Sequence, residues 1–361
     1  MLLRLAALLS VLAIFAGACS GDDDDQANQL DESAPSSTAT PEATATPTQP
    51  EIAPPDQPGP YAVGATLAEY NKLSTTGQNR SIDVVIWYPT DETGVIDEGL
   101  QAVLNAQPSA DAPFPLIVFS HGSGGNPRQS RFLTVHLASH GFVVAALSHP
   151  GNTTEDCFPC SDFNQLADSY ANRPLDVAFV RDQLLGASAA STPVLSGLID
   201  PTSIGLTGHS FGGFTTVAGL AAGGWDAGAA LAPVDIALPN LGSASTIEAP
   251  LLVFGGSLDQ VTPFTMQQAI YDAAVNAPSR LLIQLPNGGH MAFSDFCLSF
   301  ATSPTCASAP LDAAEGHNLI NLYLTAFFRY YLNGEEQYSE YLLSGNEPSS
   351  EVVVLEESGV E

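Results

Sequence analysis

The chain has 361 residues, enough to bury one substantial core, and 45 % of them are hydrophobic, which marks most of it as globular rather than disordered. Acidic residues number 39 against 9 basic ones, for a formal net charge of -30 at pH 7. A phosphate backbone would meet a field of its own sign with almost no cations to replace its counterions, so nucleic acid is excluded as a partner.

Met1, Leu2, Leu3 and Arg4 open a weakly positive start, and the apolar run 5–16 is too short for a comfortable membrane span. Residues 1–19 therefore read as an export signal. The run ends in Ala16-Gly17-Ala18-Cys19, which resembles a bacterial lipoprotein processing box. On that reading Cys19 becomes a lipidated N-terminus that attaches the protein to a membrane in the cell envelope. The alternative is an ordinary cleaved signal with an incidental cysteine, and a secreted product. Residues 20–60 hold Asp22 to Asp25 and then mostly Ala, Pro, Ser and Thr, with too few large apolar side chains to repay ordering. They are expected to form a flexible spacer.

The body is expected over 61–332. Ile82, Val84 and Ile86 alternate with Asp83 and Val85 as an early strand, and 116–119 is a short apolar run typical of a buried parallel strand. A helix fits 128–139 and a buried strand 142–147. After an irregular section, a helix is expected over 172–185 with Leu175, Ala178, Phe179 and Leu185 on one face. A strand at 203–207 runs into Gly208-His209-Ser210-Phe211-Gly212-Gly213 and a helix to about 222. Further strands fit 227–232, 251–254 and 281–285. Thr262-Pro263 offers a helix cap with proline at the first helical position. Ile320, Tyr323, Leu324, Phe327 and Phe328 trace a last helical stripe over 317–330. The acidic tail 333–361 has a weak apolar run at 352–355, either free or an edge strand. Buried strands alternating with helices imply an α/β fold with a mostly parallel central sheet and helices on both faces.

Gly208-His209-Ser210-Phe211-Gly212 fits G-x-S-x-G at a strand-to-helix junction, where the serine hydroxyl is lifted above the sheet. A serine needs a base. His290 follows the last buried strand, and Asp259 follows the strand before it, so Asp259 can hold the far ring nitrogen of His290. The order Ser210, Asp259, His290 is that of the α/β-hydrolase fold. Asp235 is the competing acid and His317 a weaker candidate base, while His209 is expected to pack or bond beside the elbow. Two backbone donors are needed for a tetrahedral oxyanion; the N–H groups of Phe211 and Ser123 are the candidates, with Gly122 close behind.

Four further cysteines form two close pairs, Cys157 with Cys160 and Cys297 with Cys306, which can be disulfides in an oxidising compartment, although three pairings are formally available. Cys-Phe-Pro-Cys lacks the strand-to-helix context of a redox motif. Phe158, Phe163, Phe293 and Phe296 can line an apolar acyl site or pack their own loops.

From about 61 to 330 the chain resembles predicted dienelactone hydrolases related to platelet-activating-factor acetylhydrolase, and more distantly cutinase-like polyester hydrolases. The likeness is carried by Phe119-Ser120-His121-Gly122-Ser123-Gly124-Gly125, Leu137-Ala138-Ser139-His140-Gly141-Phe142-Val143-Val144, His149-Pro150-Gly151-Asn152-Thr153, Asn172-Arg173-Pro174-Leu175-Asp176-Val177, Gly208 to Gly213, and Gly288-Gly289-His290. It implies hydrolysis of a small-molecule or lipid carboxylic ester through an acyl-enzyme, without metal or organic cofactor. Short acyl esters or acetylated lipids are the expected substrates. A polyester hydrolase and a non-catalytic binding lipoprotein are the alternatives. Dienelactone hydrolase proper uses a cysteine nucleophile where this elbow has Ser210.

Overall fold

The structure is a computed structural model, and it describes residues 53–157, 160–186, 193–234, 244–348 and 353–360. The chain opens with two long strands, β1 (Ala62–Leu73) and β2 (Asn79–Thr90), paired along their whole length, and two short ones, β3 (Ile96–Asp97) and β4 (Ala102–Leu104). Then come β5 (Phe114–Ser120), α1 (Arg131–Ser139), β6 (Val143–Leu147), α2 (Phe163–Leu185), β7 (Ile199–His209) and α3 (Phe211–Ala222). The remainder alternates through β8 (Ala227–Leu231), β9 (Leu251–Gly256), α4 (Phe264–Ala273) and β10 (Arg280–Leu285). Two single-turn helices, α5 (Phe296–Ser299) and α6 (Pro304–Ala307), precede the long α7 (Ala313–Asn333) and a final strand, β11 (Val353–Ser358).

Among the described residues these strands form one sheet in the order β11-β10-β9-β8-β7-β5-β6-β2-β1-β4-β3. The six from β10 to β6 are parallel, and β2 and β11 flank them antiparallel. The expected α/β fold is the one observed.

The continuous apolar runs are explained by burial on two sides. Ile117, Phe119, Val144, Ala146, Leu252 and Phe254 point to one face, under α1 and α7. Leu116, Val118, Val143, Ala145, Leu251 and Val253 point to the other, under α2, α3 and α4. Each fully buried Leu, Val, Ile or Phe contributes about 1.5–3 kcal/mol relative to exposure.

Several elements depart from the expectations. Helix α2 begins at Phe163, nine positions ahead of the expected start; Asp162 caps it by accepting the N–H groups of Asn164 and Gln165 at 2.9 and 3.0 Å. Its first turns carry Phe163, Leu166 and Tyr170 at helical spacing, and Leu166 and Tyr170 pack against Phe211 and Phe214; the expected start falls too late because Asn164, Gln165, Asp168 and Ser169 lie between them. Its buried face is also not the expected one: Leu175 is exposed, while Arg173, Asp176, Val177, Val180 and Leu184 are buried. The face was misjudged because two of its buried positions are charged. Thr262 does not cap α4, whose N-cap is Pro263 with no side-chain hydrogen bond.

The folded body also extends beyond both expected limits. Ahead of residue 61, the carbonyl oxygens of Pro55 and Gln57 accept from His136 of α1 and from His140, which caps its end, at 2.8 and 2.7 Å. After residue 332, Tyr338 and Leu342 are buried and β11 pairs with β10. Residues 1–52, including Cys19, lie outside the described part.

Candidate active site

The chain passes from β5 to β6 on one side of the sheet and then to β7 on the other side of β5. Between neighbouring strands whose connections leave in opposite directions, a crevice opens at the carboxyl ends. The loop after β5 and the turn after β7 both border it.

That turn is the elbow. Ser210 has φ 59 and ψ −114, a backbone conformation that costs a residue with a side chain about 1–3 kcal/mol. Its N–H is held by Leu231 O at 2.8 Å and its carbonyl by the Phe214 N–H at 3.0 Å. The flanking glycines are demanded by contact: a Cβ on Gly212 would lie 1.8 Å from Ser120 O, and one on Gly208 would lie 2.5 Å from the same atom.

Ser210 Oγ lies 2.9 Å from His290 Nε2, and His290 Nδ1 lies 2.7 Å from Asp259 Oδ2. All three side chains are buried. The other oxygen of Asp259 accepts the N–H groups of Val261 and Thr262, each at 2.8 Å, and the Thr262 hydroxyl donates to Oδ2 at 2.8 Å. Burial alone would raise the Asp259 carboxyl. The hydrogen bond and charge of His290 and the donors of Thr262 outweigh it and hold the group below its ordinary value.

His209 sets the position of His290. Its Nε2 donates to the His290 carbonyl at 2.9 Å, and its Nδ1 accepts from Gln129 Nε2 at 2.9 Å. Gln129 Oε1 in turn accepts the Gly122 N–H at 2.9 Å. Burial lowers His209 to about 3, so it stays neutral and keeps both roles. The same chain removes Gly122 from the candidate oxyanion donors. Among the described residues, neither the Ser123 nor the Phe211 N–H donates to another protein group.

His317 is engaged elsewhere: its Nε2 donates to Ser294 O at 3.1 Å, and its ring stacks on Phe132 at 3.6 Å. Asp235 and Phe158 lie outside the described residues. Phe163 is 81 % exposed, Phe293 is buried beside His209 and Phe254, and Phe296 packs on Phe300. The aromatic cluster beside the elbow is Tyr170, Phe211 and Phe214. Disulfides join Cys157 to Cys160 and Cys297 to Cys306.

Sequence reasoning gave no role to Gln129 or to a buried polar cluster beneath the β5 loop. There Ser120 Oγ lies 2.9 Å from His149 Nε2, and His149 Nδ1 lies 3.1 Å from Asp176 Oδ2. The pattern copies the arrangement around Ser210 but is fully buried, so no substrate reaches it. Asp176 also binds Arg80 at 2.7 Å and Lys72 at 3.1 Å. Burial would raise Asp176, but His149 and Arg80 bring it down to about 2, while burial lowers His149 to about 3. The spacing Arg173-x-x-Asp176 on one helix face was the available signal.

Residues 109–358 match the PET hydrolase-like family. The chain belongs to that family. The match spans the β5 loop, the elbow and the loops that carry Asp259 and His290. Two curated relatives agree with it. A platelet-activating factor acetylhydrolase from Cavia porcellus is 23 % identical over 360 residues, covering 80 % of each chain, and Cutinase est1 from Thermobifida alba is 26 % identical over 239 residues, covering 66 % of this chain and 67 % of its own. A solved structure of a ferulic acid esterase from Streptomyces cinnamoneus superposes with a TM-score of 0.65 at 23 % identity, covering 82 % of this chain and 97 % of that one, which establishes the shared fold. The family member described here is an ester hydrolase with the α/β-hydrolase fold.

Proposed function

We propose that the chain hydrolyses carboxylic esters by serine catalysis, with Ser210 as nucleophile, His290 as general base and Asp259 as the acid that orients it. The observation that carries this reading is the continuous relay of 2.9 and 2.7 Å from the Ser210 hydroxyl through His290 to Asp259. The Ser210 proton passes to His290 Nε2 as Oγ attacks the acyl carbon. The N–H groups of Ser123 and Phe211 receive the oxyanion. Collapse expels the alcohol, which takes the proton from Nε2. Water, deprotonated by the same nitrogen, then releases the acid. Asp259 stays ionised and stabilises the imidazolium.

Short acyl esters and acetylated lipids are the substrates we favour. The acetylhydrolase relative supports this choice. The family name and the cutinase relative favour a polyester as the second reading. Replacing Ser210 with Ala is expected to abolish p-nitrophenyl acetate hydrolysis; an unchanged rate would refute the serine assignment. An ester panel graded by acyl length, with an acetylated phospholipid and a soluble polyester oligomer, separates the two substrate readings.

We further infer export, supported by the two disulfides. Attachment through a lipidated Cys19 is tested by mass spectrometry of the mature N-terminus in wild type and Cys19→Ala. An unmodified N-terminus at another residue would overturn it.

A further inference from the structure

Arg173 is fully buried, yet among the described residues it pairs with no carboxylate at hydrogen-bonding distance. Asp176, one turn along α2, is committed to Arg80, Lys72 and His149. The Arg173 guanidinium instead donates to His121 O at 2.6 Å, Gly122 O at 3.2 Å and Asn152 Oδ1 at 2.6 Å, with Ser120 Oγ at 3.5 Å. Its plane lies over the Phe211 ring, 4.4 Å from the centroid. One side chain therefore touches both segments that supply the oxyanion donors.

The contact with Gly122 O matters because that oxygen and the Ser123 N–H belong to one peptide unit. The unit is planar and trans, so its C=O and N–H point in opposite directions, and fixing the oxygen aims the hydrogen. His121 Nδ1 donates to the same oxygen at 2.7 Å. Hydrogen bonds received by a carbonyl polarise the unit and strengthen its N–H as a donor. Asn152, held by Arg173, donates from Nδ2 to Ser123 Oγ at 3.2 Å. On the other side, the ring under the guanidinium belongs to the residue whose N–H is the second donor.

We propose that Arg173 is a positioning residue for the oxyanion site, holding the Gly122–Ser123 peptide and Phe211 so that both N–H groups meet one oxygen, while its buried charge favours the negative intermediate over the neutral ester. The proposal rests on the serine-esterase reading above. Burial lowers the guanidinium to about 9, so it remains a cation at neutral pH. A fork of this shape is not reproduced by lysine, which has a single nitrogen.

The test is Arg173→Lys, assayed with p-nitrophenyl acetate and with an alkyl trifluoromethyl ketone, whose adduct with serine carries an oxyanion. Folding is checked by circular dichroism. Removal of one oxyanion donor costs about 10²–10³ in kcat, and a misaimed one should cost about 10–100-fold. KM should stay within about twofold, and ketone affinity should fall in step with kcat/KM; a residue that only holds the fold would leave ketone affinity per folded chain unchanged. If Arg173→Lys does not fold, Asn152→Ala removes one acceptor of the fork and keeps the charge, with the same pattern expected at about threefold or more. The result that overturns the proposal is a folded variant with kcat and ketone affinity within twofold of the parent, or a loss confined to KM. Ser210→Ala is run alongside: if it retains hydrolysis, the serine reading itself has failed, whereas an inactive Ser210→Ala beside an unaffected Arg173→Lys rejects the role of Arg173 alone.

Discussion

His209 and His290 are joined ring to backbone: Nε2 of the first donates to the carbonyl oxygen of the second at 2.9 Å. The residue before the nucleophile thus fixes the loop that carries the base. Through Gln129 it also fixes the Gly122 N–H, so the two sides of the crevice share one hydrogen-bond chain. Replacing His209 with Phe keeps an aromatic ring and removes both interactions, leaving the buried His290 carbonyl and the Gln129 amide without these partners. The expected cost is about 1–3 kcal/mol of stability and about tenfold in kcat from a loosened base. Thermal denaturation and steady-state kinetics on one preparation check both; a variant with unaltered kcat would show that the chain does not position His290.

Thr262 supports the acid in the same way. Thr262→Val keeps the shape and removes the hydroxyl that donates to Asp259 Oδ2. A hydrogen bond to a charged group contributes about 1.5–3 kcal/mol. The variant should lose stability on that scale and lose kcat severalfold, with KM little changed, as read by urea denaturation and initial rates.

The elbow tolerates no side chain at Gly212. Its Cβ would sit 1.8 Å from Ser120 O, against backbone that cannot swing aside. Gly212→Ala should give insoluble or inactive protein. A folded, fully active Gly212→Ala enzyme, seen by circular dichroism and kinetics, would contradict the elbow geometry.

Acidification should weaken the fold well before the carboxylates titrate. Burial lowers His121, His136, His140, His149, His209 and His317, with His140 at about 4 and His149 and His209 at about 3. In the unfolded chain each takes a proton near its ordinary value of 6.5. Their stabilisation is therefore complete above that value and lost as pH falls toward the native ones, at up to about 1.4 kcal/mol per pH unit for each histidine. The thermal midpoint measured from pH 7 to pH 4 should fall steeply, and a flat profile would contradict neutral burial of these rings.

Much of this architecture is legible in the sequence because its signals are local. Buried parallel strands are short apolar runs, and the elbow motif sits where one such run meets a helix. Asp259 and His290 each follow a run by a few residues, which places them at strand ends. What stayed hidden depends on contacts between distant segments. The apolar positions in the first turns of α2 are interspersed with Asn164, Gln165, Asp168 and Ser169, and its buried face presents Arg173 and Asp176, so the apolar residues of 172–185 pointed to the wrong face. Pro55 and Gln57 dock through carbonyl oxygens, which composition does not reveal. Thr262 looked like a helix cap because Thr-Pro is a common helix start; its hydroxyl is taken instead by the Asp259 carboxylate three residues earlier.

Covalent labelling tests the central claim most directly. The chain is treated with a fluorophosphonate, digested, and mapped by tandem mass spectrometry. Attack by an activated Ser210 predicts one phosphonyl group, on the peptide containing Gly208-His209-Ser210, and loss of esterase activity in proportion to its occupancy. An adduct on another serine that tracks the loss, or full activity with Ser210 completely modified, would contradict it.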